Sequence, residues 1–542
     1  MWVLFYSYVC PSEVLMKEGM SKYGIMENKK QKIYFIGIGG IGVSALARYF
    51  LARGDSVSGS DAVGSGITEE LGKMGAEIFI GHKIENITQS DCVMFSAAVR
   101  EDNPELIEAR RLGIKTQKYA EALGELTKEK FTIAVSGMHG KSTTTAMIGL
   151  IMEKAGLDPT VIVGTKVRWG NQESGIRNQE SGKNLNLLNP PLEGGQNPPQ
   201  PSLKGGRRID PPPLGGVGVR GDFDNASNFR MGRSKYLVIE ADEYDKSILN
   251  YWPKILVLLN IEEEHLDTYR GGLPEIMETF KEYVEHLPED GVLVANHGDA
   301  NISKLILDAV PTPTVFPSLR EGESKRGRDW RVVNFGAEKA GGLNLKIPGK
   351  HNLSNANAAL TVARVLSIDE EIAIEALNNF IGAWRRMEYK GKLNGAKIYD
   401  DYGHHPTEIK ATLAGACELL AISHKPLAKL WCVFQPHQYQ RTYNLFDQFV
   451  SAFGAADKII LLPIYSVAGR EDEGIKNKVN SEMLAEKIRN QEAGSKNQEI
   501  LYLSDFDKVA EYLRKNLQAG DVCVIMGAGD IYKLTEQLLI KE

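Results

Sequence analysis

Short apolar runs of four or five residues alternate with longer helical stretches along most of the chain. Almost continuous apolar character in so short a run is typical of a strand buried on both faces. The alternation with helical stretches predicts βαβ units on a parallel sheet. The runs that predict strands are Ile33–Ile36, Phe131–Val135, Tyr236–Ile239, Ile255–Leu259, Leu430–Phe434, Ile459–Leu462 and Val522–Ile525. They occur in all three thirds of the chain, which predicts three α/β domains in sequence.

One segment, from about Gly170 to Gly221, breaks this pattern. It holds eight of the 22 prolines and eleven of the 54 glycines. A composition of this kind cannot build a packed core, so we expect a disordered insert at 170–222. The segment repeats itself as NQESGIRNQESG, and a similar peptide occurs at Ile488–Glu499. The repetition favours inserted sequence, with a proline-rich partner-binding arm as the alternative.

Composition narrows the class of protein. The chain has 64 Lys and Arg against 70 Asp and Glu, and a net charge of −6 argues against a nucleic-acid-binding protein. The hydrophobic content of 42% and charged content of 25% are those of a soluble globular protein. The five cysteines show no CxxC spacing, which disfavours a zinc site or a disulfide scaffold and fits a reducing cytoplasm. We interpret residues 1–30 as an N-terminal extension, with Met20 or Met26 as alternative starts.

The first motif that points to chemistry is GIGGIG, which follows the run Ile33–Ile36 and opens a helical stretch. Glycines at this junction let the backbone approach a pyrophosphate at the helix N-terminus. Its glycines are Gly37, Gly39, Gly40 and Gly42, and Asp61 follows about 20 residues later. The motif predicts a pyrophosphate site and leaves open whether the ligand is a dinucleotide or a UDP-sugar.

The second motif is a shortened phosphate loop between the run Phe131–Val135 and the next helical stretch. Its backbone N–H groups wrap phosphates, its lysine reaches the β and γ groups, and its serine hydroxyl ligates Mg²⁺. The residues predicted to bind the nucleotide are Gly137, Met138, His139, Gly140, Lys141, Ser142 and Thr143.

Polar residues follow several other buried runs, at the strand ends where α/β sheets bind ligands. The motifs EADE and NIEEEHLD end two runs, and their joint position favours Glu240 and His265 as Mg²⁺ ligands. Asn352 and Asn355, three apart at a helix start, can read an adenine edge, with helix capping as the alternative. In the last third, the His and Asp residues of DDYGHHPTE follow a buried run and could orient an amine or a carboxylate.

Taken together, these motifs resemble the Mur ligase family of peptidoglycan synthesis. In chain order they are GIGGIGVS, GMHGKSTTT, EADEYD, NIEEEHLD, HNLSNANAA, RRME, DDYGHHPTE and FQPHQYQRT, across residues 32–534. The resemblance implies an α/β fold of three domains: an N-terminal Rossmann-like UDP-substrate domain, a central P-loop ATPase domain and a C-terminal Rossmann-like amino-acid domain. The expected bounds are 31–127, 128–383 and 384–542.

The resemblance also implies an activity. It is the ATP-dependent joining of L-alanine to the carboxylate of UDP-N-acetylmuramate through an acyl phosphate, in cytoplasmic precursor synthesis. The alternatives are a ligase that adds a recycled tripeptide, an NAD-dependent dehydrogenase and a non-catalytic nucleotide-binding module. The expected cofactors are ATP and Mg²⁺. The expected partners are small-molecule substrates, without nucleic acid or membrane insertion, in a monomer or homodimer.

The roles of residues follow from the same resemblance. The Gly37–Gly42 loop would hold the UDP diphosphate, and Arg386 would face the γ-phosphate. Tyr402, His404 and Arg441 would handle the amino acid. Asp61 is predicted to bind substrate from its spacing after the glycine loop. Mg²⁺ would lie on Ser142 and Glu240, with a second ion at His265. Residues implied to act in catalysis are Lys141, Glu240, His265, Arg386, His404 and Arg441.

The chain departs from the family's usual residues at four positions. Met138 and Ser142 replace two threonines of the phosphate loop, and Ser142 keeps the hydroxyl that binds metal. Glu264 replaces an aspartate. Gln438 stands where many members have an arginine, which leaves the amino-acid specificity open and gives Arg441 more of the carboxylate binding.

Overall fold

A computed structural model describes residues 30–87, 89–170, 226–265, 268–309, 330–336, 340–422, 427–466, 473–490 and 498–539. The predicted insert lies outside the described residues apart from Gly170, and so does the predicted N-terminal extension apart from Lys30. The chain divides into two compact units, Met1–Tyr119 and Ala120–Glu542.

The first unit holds a five-stranded parallel sheet in the order β3-β2-β1-β4-β5. Its strands are β1 Lys32–Ile36, β2 Ser56–Asp61, β3 Glu77–Ile80, β4 Cys92–Phe95 and β5 Lys115–Lys118. Its helices are α1 Ile41–Arg53, α2 Gly66–Lys73 and α3 Pro104–Arg111, with a 3₁₀ turn at Ile84–Asn86. The direction of strand addition reverses between β1 and β4, so the glycine loop after β1 lies at the point where such sheets bind ligands.

The second unit holds two sheets, the first with seven strands in the order β12-β11-β10-β6-β9-β7-β8. The strands are β6 Phe131–Ser136, β7 Thr160–Val167, β8 Ser227–Arg230, β9 Tyr236–Glu240, β10 Ile255–Leu258, β11 Val292–Asn296 and β12 Arg331–Phe335. The helices from this part of the chain are α4 Tyr119–Glu129, α5 Lys141–Lys154, α6 Leu273–Val284, α7 Ala300–Ala309, α8 Lys350–Val365 and α9 Glu370–Asn379, with a 3₁₀ segment at Tyr244–Asn250.

Helix α5, which follows the phosphate loop, is packed on nearly every side. Its buried residues include Met147, Ile148, Ile151 and Met152, and they join one core with α8 and α9. Burying an aliphatic side chain of this size stabilises a fold by roughly 1.5–3 kcal/mol. The phosphate loop therefore begins a rigid helix held in the centre of the unit.

The other sheet of this unit has six strands in the order β13-β14-β18-β15-β16-β17. They are β13 Glu388–Leu393, β14 Ala396–Asp401, β15 Leu430–Phe434, β16 Lys458–Leu461, β17 Glu499–Tyr502 and β18 Val522–Met526. Its helices are α10 Pro406–Ile422, α11 Tyr439–Asn444, α12 Phe446–Val450, α13 Glu473–Lys476, α14 Ser481–Asn490, α15 Phe506–Asn516 and α16 Tyr532–Leu539.

All seven apolar runs form strands, and the three-sheet α/β architecture is confirmed. Two edge strands depart from the parallel arrangement of the βαβ units, because β8 pairs antiparallel with β7 and β13 antiparallel with β14. These two edge strands read SNFR and EYKGKL, too polar to stand out as buried runs. Within the described parts of the chain, no helix is both long and apolar enough to cross a bilayer.

Candidate active site

The glycine loop of the first unit is held by its own neighbours. The N–H of Gly37 donates to the carbonyl of Ser60 at 2.8 Å, and the N–H of Gly39 donates to Oδ2 of Asp61 at 2.9 Å. A Cβ at Gly39 would lie 2.8 Å from that same oxygen, so the close approach requires glycine. Asp61, predicted to bind substrate, therefore orients the loop backbone. Gly40 and Gly42 complete the turn into α1.

A buried carboxylate behind this loop escaped the sequence analysis. Glu105 is wholly buried in the first turn of α3. Its oxygens accept hydrogen bonds from Tyr34 at 3.0 Å and Asn86 at 2.7 Å, and also from Ser60. Nδ1 of His82 lies 3.0 Å from the carboxylate. This cluster fixes β2, whose carbonyl at Ser60 anchors the glycine loop.

In the second unit, the phosphate loop connects β6 to α5 and is clamped by two asparagines. Oδ1 of Asn260 accepts the N–H of His139 at 2.8 Å, and Nδ2 donates to the carbonyl of His139 at 2.9 Å. Gly140 has φ +87°, and a Cβ there would lie 2.5 Å from Oδ1 of Asn355. Only glycine combines that backbone conformation with the close approach of Asn355.

Lys141 points back into the loop. Its Nζ donates to the carbonyls of Gly137 at 2.8 Å and Met138 at 3.2 Å, and to Oε2 of Glu243 at 2.8 Å. Burial alone would lower the pKa of Lys141, but Glu243 outweighs it and raises that pKa. Burial would raise the pKa of Glu243, yet Lys141 and His265 lower it to about 2. The ammonium and the carboxylate are therefore both charged.

The residues predicted to bind Mg²⁺ fall in two neighbouring groups. Oγ of Ser142 donates to Oε1 of Glu240 at 2.9 Å, which puts a hydroxyl and a carboxylate side by side at the start of α5. His265 instead groups with Asp242 and Glu243, whose possible ligand atoms lie within 4.8 Å of one another. Hydroxyl and carboxylate oxygens are the donors that Mg²⁺ takes, so the Ser142–Glu240 pair fits that ion.

A cavity opens beside the phosphate loop and contains the two asparagines predicted to face adenine. Nδ2 of Asn352 donates to the carbonyl of Pro348 at 2.6 Å, and Nδ2 of Asn355 donates to Oδ1 of Asn352 at 3.5 Å. Both belong to α8, which packs on α5. Other lining residues are His139, Gly140, Ser142, Thr143, Glu262, Arg386, Thr407 and Glu408. The cavity thus joins residues predicted to bind the nucleotide to residues of the last third of the chain.

Arg386 enters this cavity from the segment before β13. Its Nη1 donates to Oε1 of Glu408 at 3.4 Å, and its guanidinium lies 5.2 Å from the ring centre of Tyr402. Burial opposes the charge, but Glu408 and Asp401 outweigh it and raise the pKa of Arg386. A permanent positive charge therefore faces the phosphate loop.

Two of the residues predicted to handle the amino acid, Tyr402 and His404, lie close to Arg386 and Glu408 respectively. The rings of Tyr402 and His404 are 5.4 Å apart, and those of His404 and His437 are 5.9 Å apart. Burial, aided by Arg441, holds the pKa of His404 well below its usual value, so its imidazole is neutral. Nη2 of Arg441 lies 3.8 Å from Glu264. Its Nη1 is buried and has no hydrogen-bond partner among the described residues.

Three models of Mur ligase domains match the chain. They are the Mur ligase family catalytic domain over residues 32–131, the middle domain over 224–363 and the glutamate ligase domain over 385–529. The UDP-N-acetylmuramate–L-alanine ligase of Acetivibrio thermocellus is 37% identical over 96% of this chain and 98% of the relative. The ligase of that name from Clostridium tetani is 37% identical over 94% and 98%. The chain belongs to the Mur ligase family.

Solved structures of Mur ligases share the fold. A UDP-N-acetylmuramate–alanine ligase from Thermotoga maritima matches with a TM-score of 0.66 and 23% identity, over 94% of this chain and 98% of that one. A murein peptide ligase from Psychrobacter arcticus matches with a TM-score of 0.59 and 22% identity over the same shares. The predicted domain bounds at 127/128 and 383/384 stay predictions, as do the roles of the site residues.

Several polar residues of this Mur ligase site were missed from the sequence. Glu243 holds both Lys141 and His265, at 2.8 and 3.1 Å. Oε2 of Glu262 accepts a hydrogen bond from Thr407 at 2.9 Å. Those two glutamates, together with Glu408, lie in motifs that had been singled out. Their partners are far away in sequence, so motif spacing carried no signal for their contacts.

Proposed function

We propose that this Mur ligase joins L-alanine to the carboxylate of UDP-N-acetylmuramate at the expense of ATP. The observation that supports this reaction most is the agreement between relatives of that name, 36–37% identical over about 95% of the chain, and a cavity that unites the phosphate loop with Arg386. In this reaction the substrate carboxylate attacks the γ-phosphorus, ADP leaves, and the amine of L-alanine displaces phosphate from the acyl phosphate.

The phosphates of ATP are bound by groups fixed before the nucleotide arrives. The loop N–H groups, Lys141 and Arg386 supply donors and positive charge where negative charge develops on the transferring phosphoryl group. Ser142 and Glu240 would hold Mg²⁺, which neutralises charge on the β and γ oxygens. Because Lys141 and Ser142 begin the buried helix α5, they do not have to reorganise during transfer.

The amino acid has a matching set of groups. Nη1 of Arg441 is buried and available to bind a carboxylate, for which a guanidinium is well suited. The neutral imidazole of His404 lies beside the rings of Tyr402 and His437. We therefore place L-alanine between Arg441 and His404, with its amine towards Arg386 and the acyl phosphate.

The test is phosphate release by the full chain with UDP-N-acetylmuramate, ATP and Mg²⁺. L-Alanine, glycine, L-serine and the tripeptide of muropeptide recycling are compared as the amine. We expect turnover with L-alanine at least about tenfold faster than with glycine or L-serine, because one or two atoms in a closed pocket are worth this much.

Three outcomes would contradict the proposal. Fast turnover with the tripeptide alone would make the chain a recycling ligase. Absence of turnover with every amine would favour a nucleotide-binding module. A bound nicotinamide cofactor in the purified protein would favour a dehydrogenase instead.

We also place the reaction in the cytoplasm, where ATP and UDP-linked precursors occur. We expect the protein to be a monomer or homodimer, which light scattering would check.

A further inference from the structure

Glu408 has an unusual number of partners on two sides of the cavity. It lies in the first turn of α10, and its Oε2 accepts the backbone N–H groups of His404 at 2.9 Å and His405 at 3.2 Å. Its Oε1 lies 3.5 Å from Nδ1 of His139 and 3.4 Å from Nη1 of Arg386. One carboxylate thus touches the phosphate loop, Arg386 and the segment that leads to the amino-acid side.

The two oxygens of Glu408 have different tasks. The backbone N–H bonds to Oε2 fix the carboxylate at the helix start. The two contacts of Oε1 are longer than good charge-assisted hydrogen bonds, which are about 2.7–2.9 Å. Glu408 therefore orients His139 and Arg386 without saturating them, and each cation keeps N–H donors for a phosphate oxygen.

His139 completes the link from the other side. Its backbone is clamped by Asn260, so the loop cannot follow the side chain. Its Nε2 lies 3.8 Å from Oε2 of Glu262, which Thr407 also holds. The imidazole of His139 therefore lies between two carboxylates, that of Glu262 after β10 and that of Glu408 in α10.

We propose that Glu408 is a positioning residue that couples nucleotide binding to amino-acid binding, through His139 and Arg386 on one side and the His404–His405 backbone on the other. The inference rests on the proposed function and adds a residue to which that function assigns no role in the chemistry. A phosphate bound by His139 and Arg386 holds both cations beside Glu408 and so fixes the carboxylate. The carboxylate in turn fixes the backbone of His404 and His405, which leads to the residues predicted to handle the amino acid.

The first test is a double-mutant cycle on the binding of a non-hydrolysable ATP analogue, by calorimetry on the full chain. Glu408→Gln keeps the shape and an oxygen for the backbone N–H groups but loses the charge, and His139→Gln cuts the link from the loop. We expect each variant to weaken binding about five- to tenfold and the double variant to be no worse than either. The proposal would be overturned if the loss of affinity in the double variant equalled the product of the two single losses. It would also be overturned if Glu408→Gln bound the analogue as tightly as the wild type.

The second test separates positioning from a general structural effect. The affinity for the analogue is measured with and without L-alanine, in the presence of UDP-N-acetylmuramate. We expect L-alanine to tighten analogue binding at least about threefold in the wild type, and hardly at all in Glu408→Gln or His139→Gln. The quantity compared is the ratio of analogue affinities with and without L-alanine. A variant that binds the analogue more weakly but keeps the wild-type ratio would overturn the coupling. A wild-type protein whose affinity does not change with L-alanine would overturn it as well.

A matched control is Glu482→Gln, which removes an exposed glutamate from the first turn of α14. It should leave affinity and ratio unchanged. The double-mutant cycle on analogue binding needs no turnover. If the wild type fails to use L-alanine, the proposed function fails while the cycle still decides whether Glu408 and His139 act together.

Discussion

Nζ of Lys141 lies 2.8 Å from Oε2 of Glu243, a carboxylate with no exposed side-chain surface. We expect Lys141→Met to abolish phosphate release, because the charge on the transferring phosphoryl group loses its cation. The variant should also lose about 3 kcal/mol of stability, since the buried carboxylate of Glu243 loses its nearest cation and keeps His265, 3.1 Å away. Phosphate release and thermal unfolding measure the two effects.

The same helix offers the control. Lys154 ends α5 and pairs at 2.8 Å with Glu375, which is largely exposed. Lys154→Met should change stability by less than about 1 kcal/mol and leave turnover intact. Near-normal activity of Lys141→Met would show that the phosphate loop has been assigned wrongly.

The contrast between Lys141 and Glu243 shows how far sequence reasoning reached. Lys141 was predicted because strand, glycines, lysine and hydroxyl follow one another within a dozen residues, and local spacing alone defines a phosphate loop. Glu243 was not, because its contact with Lys141 spans 102 positions and depends on β9 pairing beside β6. The same limit applies to Glu408, whose partner His139 belongs to another sheet of the same unit.

Strands were predicted on the same principle. The buried runs of β6, β10 and β15 are apolar on both faces, so the local pattern alone predicts them as strands. Strand β5 reads KTQK and is an edge strand, with polar residues that a local pattern assigns to a loop. Pairing with β4 makes it a strand, and that pairing is invisible to a window of a few residues.

Ser142 gives a test of the metal site. Ser142→Ala removes the hydroxyl that lies 2.9 Å from Glu240, while Ser142→Thr restores the residue usual in the family. We expect the alanine variant to need about tenfold more Mg²⁺ for half-maximal turnover, and the threonine variant to need the wild-type amount. Titration of turnover with Mg²⁺ after treatment with a chelator measures this requirement. Equal requirements in all three proteins would remove Ser142 from the metal site.

His139 predicts a dependence of stability on pH. Burial would lower the pKa of His139, but Glu262 and Glu408 outweigh it and raise the pKa from 6.5 to about 10. A group whose pKa is higher in the folded protein than in the unfolded chain stabilises the fold. This stabilisation is complete at a pH below the pKa of the unfolded chain and is lost once the pH exceeds the pKa of the folded protein. The stability gap between wild type and His139→Gln should therefore be largest at or below about pH 6.5 and shrink by up to about 1.4 kcal/mol per pH unit towards pH 10.

Thermal unfolding of both proteins from pH 6 to pH 10 measures that gap, and the subtraction cancels groups that titrate alike in each. A gap that stays constant would show that His139 is not charged in the folded protein. A gap that widens with rising pH would reverse the sign and mean that His139 is buried neutral.

The cluster around Glu105 predicts a stability effect confined to the first unit. Glu105→Gln replaces one acceptor oxygen by an NH₂ group that must face donors such as Tyr34, Asn86 or His82. A buried N–H donor that faces other donors has no acceptor, which lowers the free energy of unfolding by about 1–3 kcal/mol. Hydrogen exchange should therefore show opening easier by about this amount in peptides from residues 32–118, while peptides from 131–335 keep wild-type protection.

Glu108, three residues further along α3, supplies the control. It pairs at 2.6 Å with Arg111, whose side chain is two-thirds exposed, so this is a surface ion pair that contributes little to stability. Glu108→Gln should leave exchange in both regions unchanged.

The same pair of variants tests the glycine loop. Because Ser60 links Glu105 to this loop, we also expect Glu105→Gln to weaken UDP binding, measured by calorimetry, and Glu108→Gln to leave it unchanged. If Glu105→Gln loosened both regions equally, or neither, the carboxylate would not be what fixes β2 and its loop.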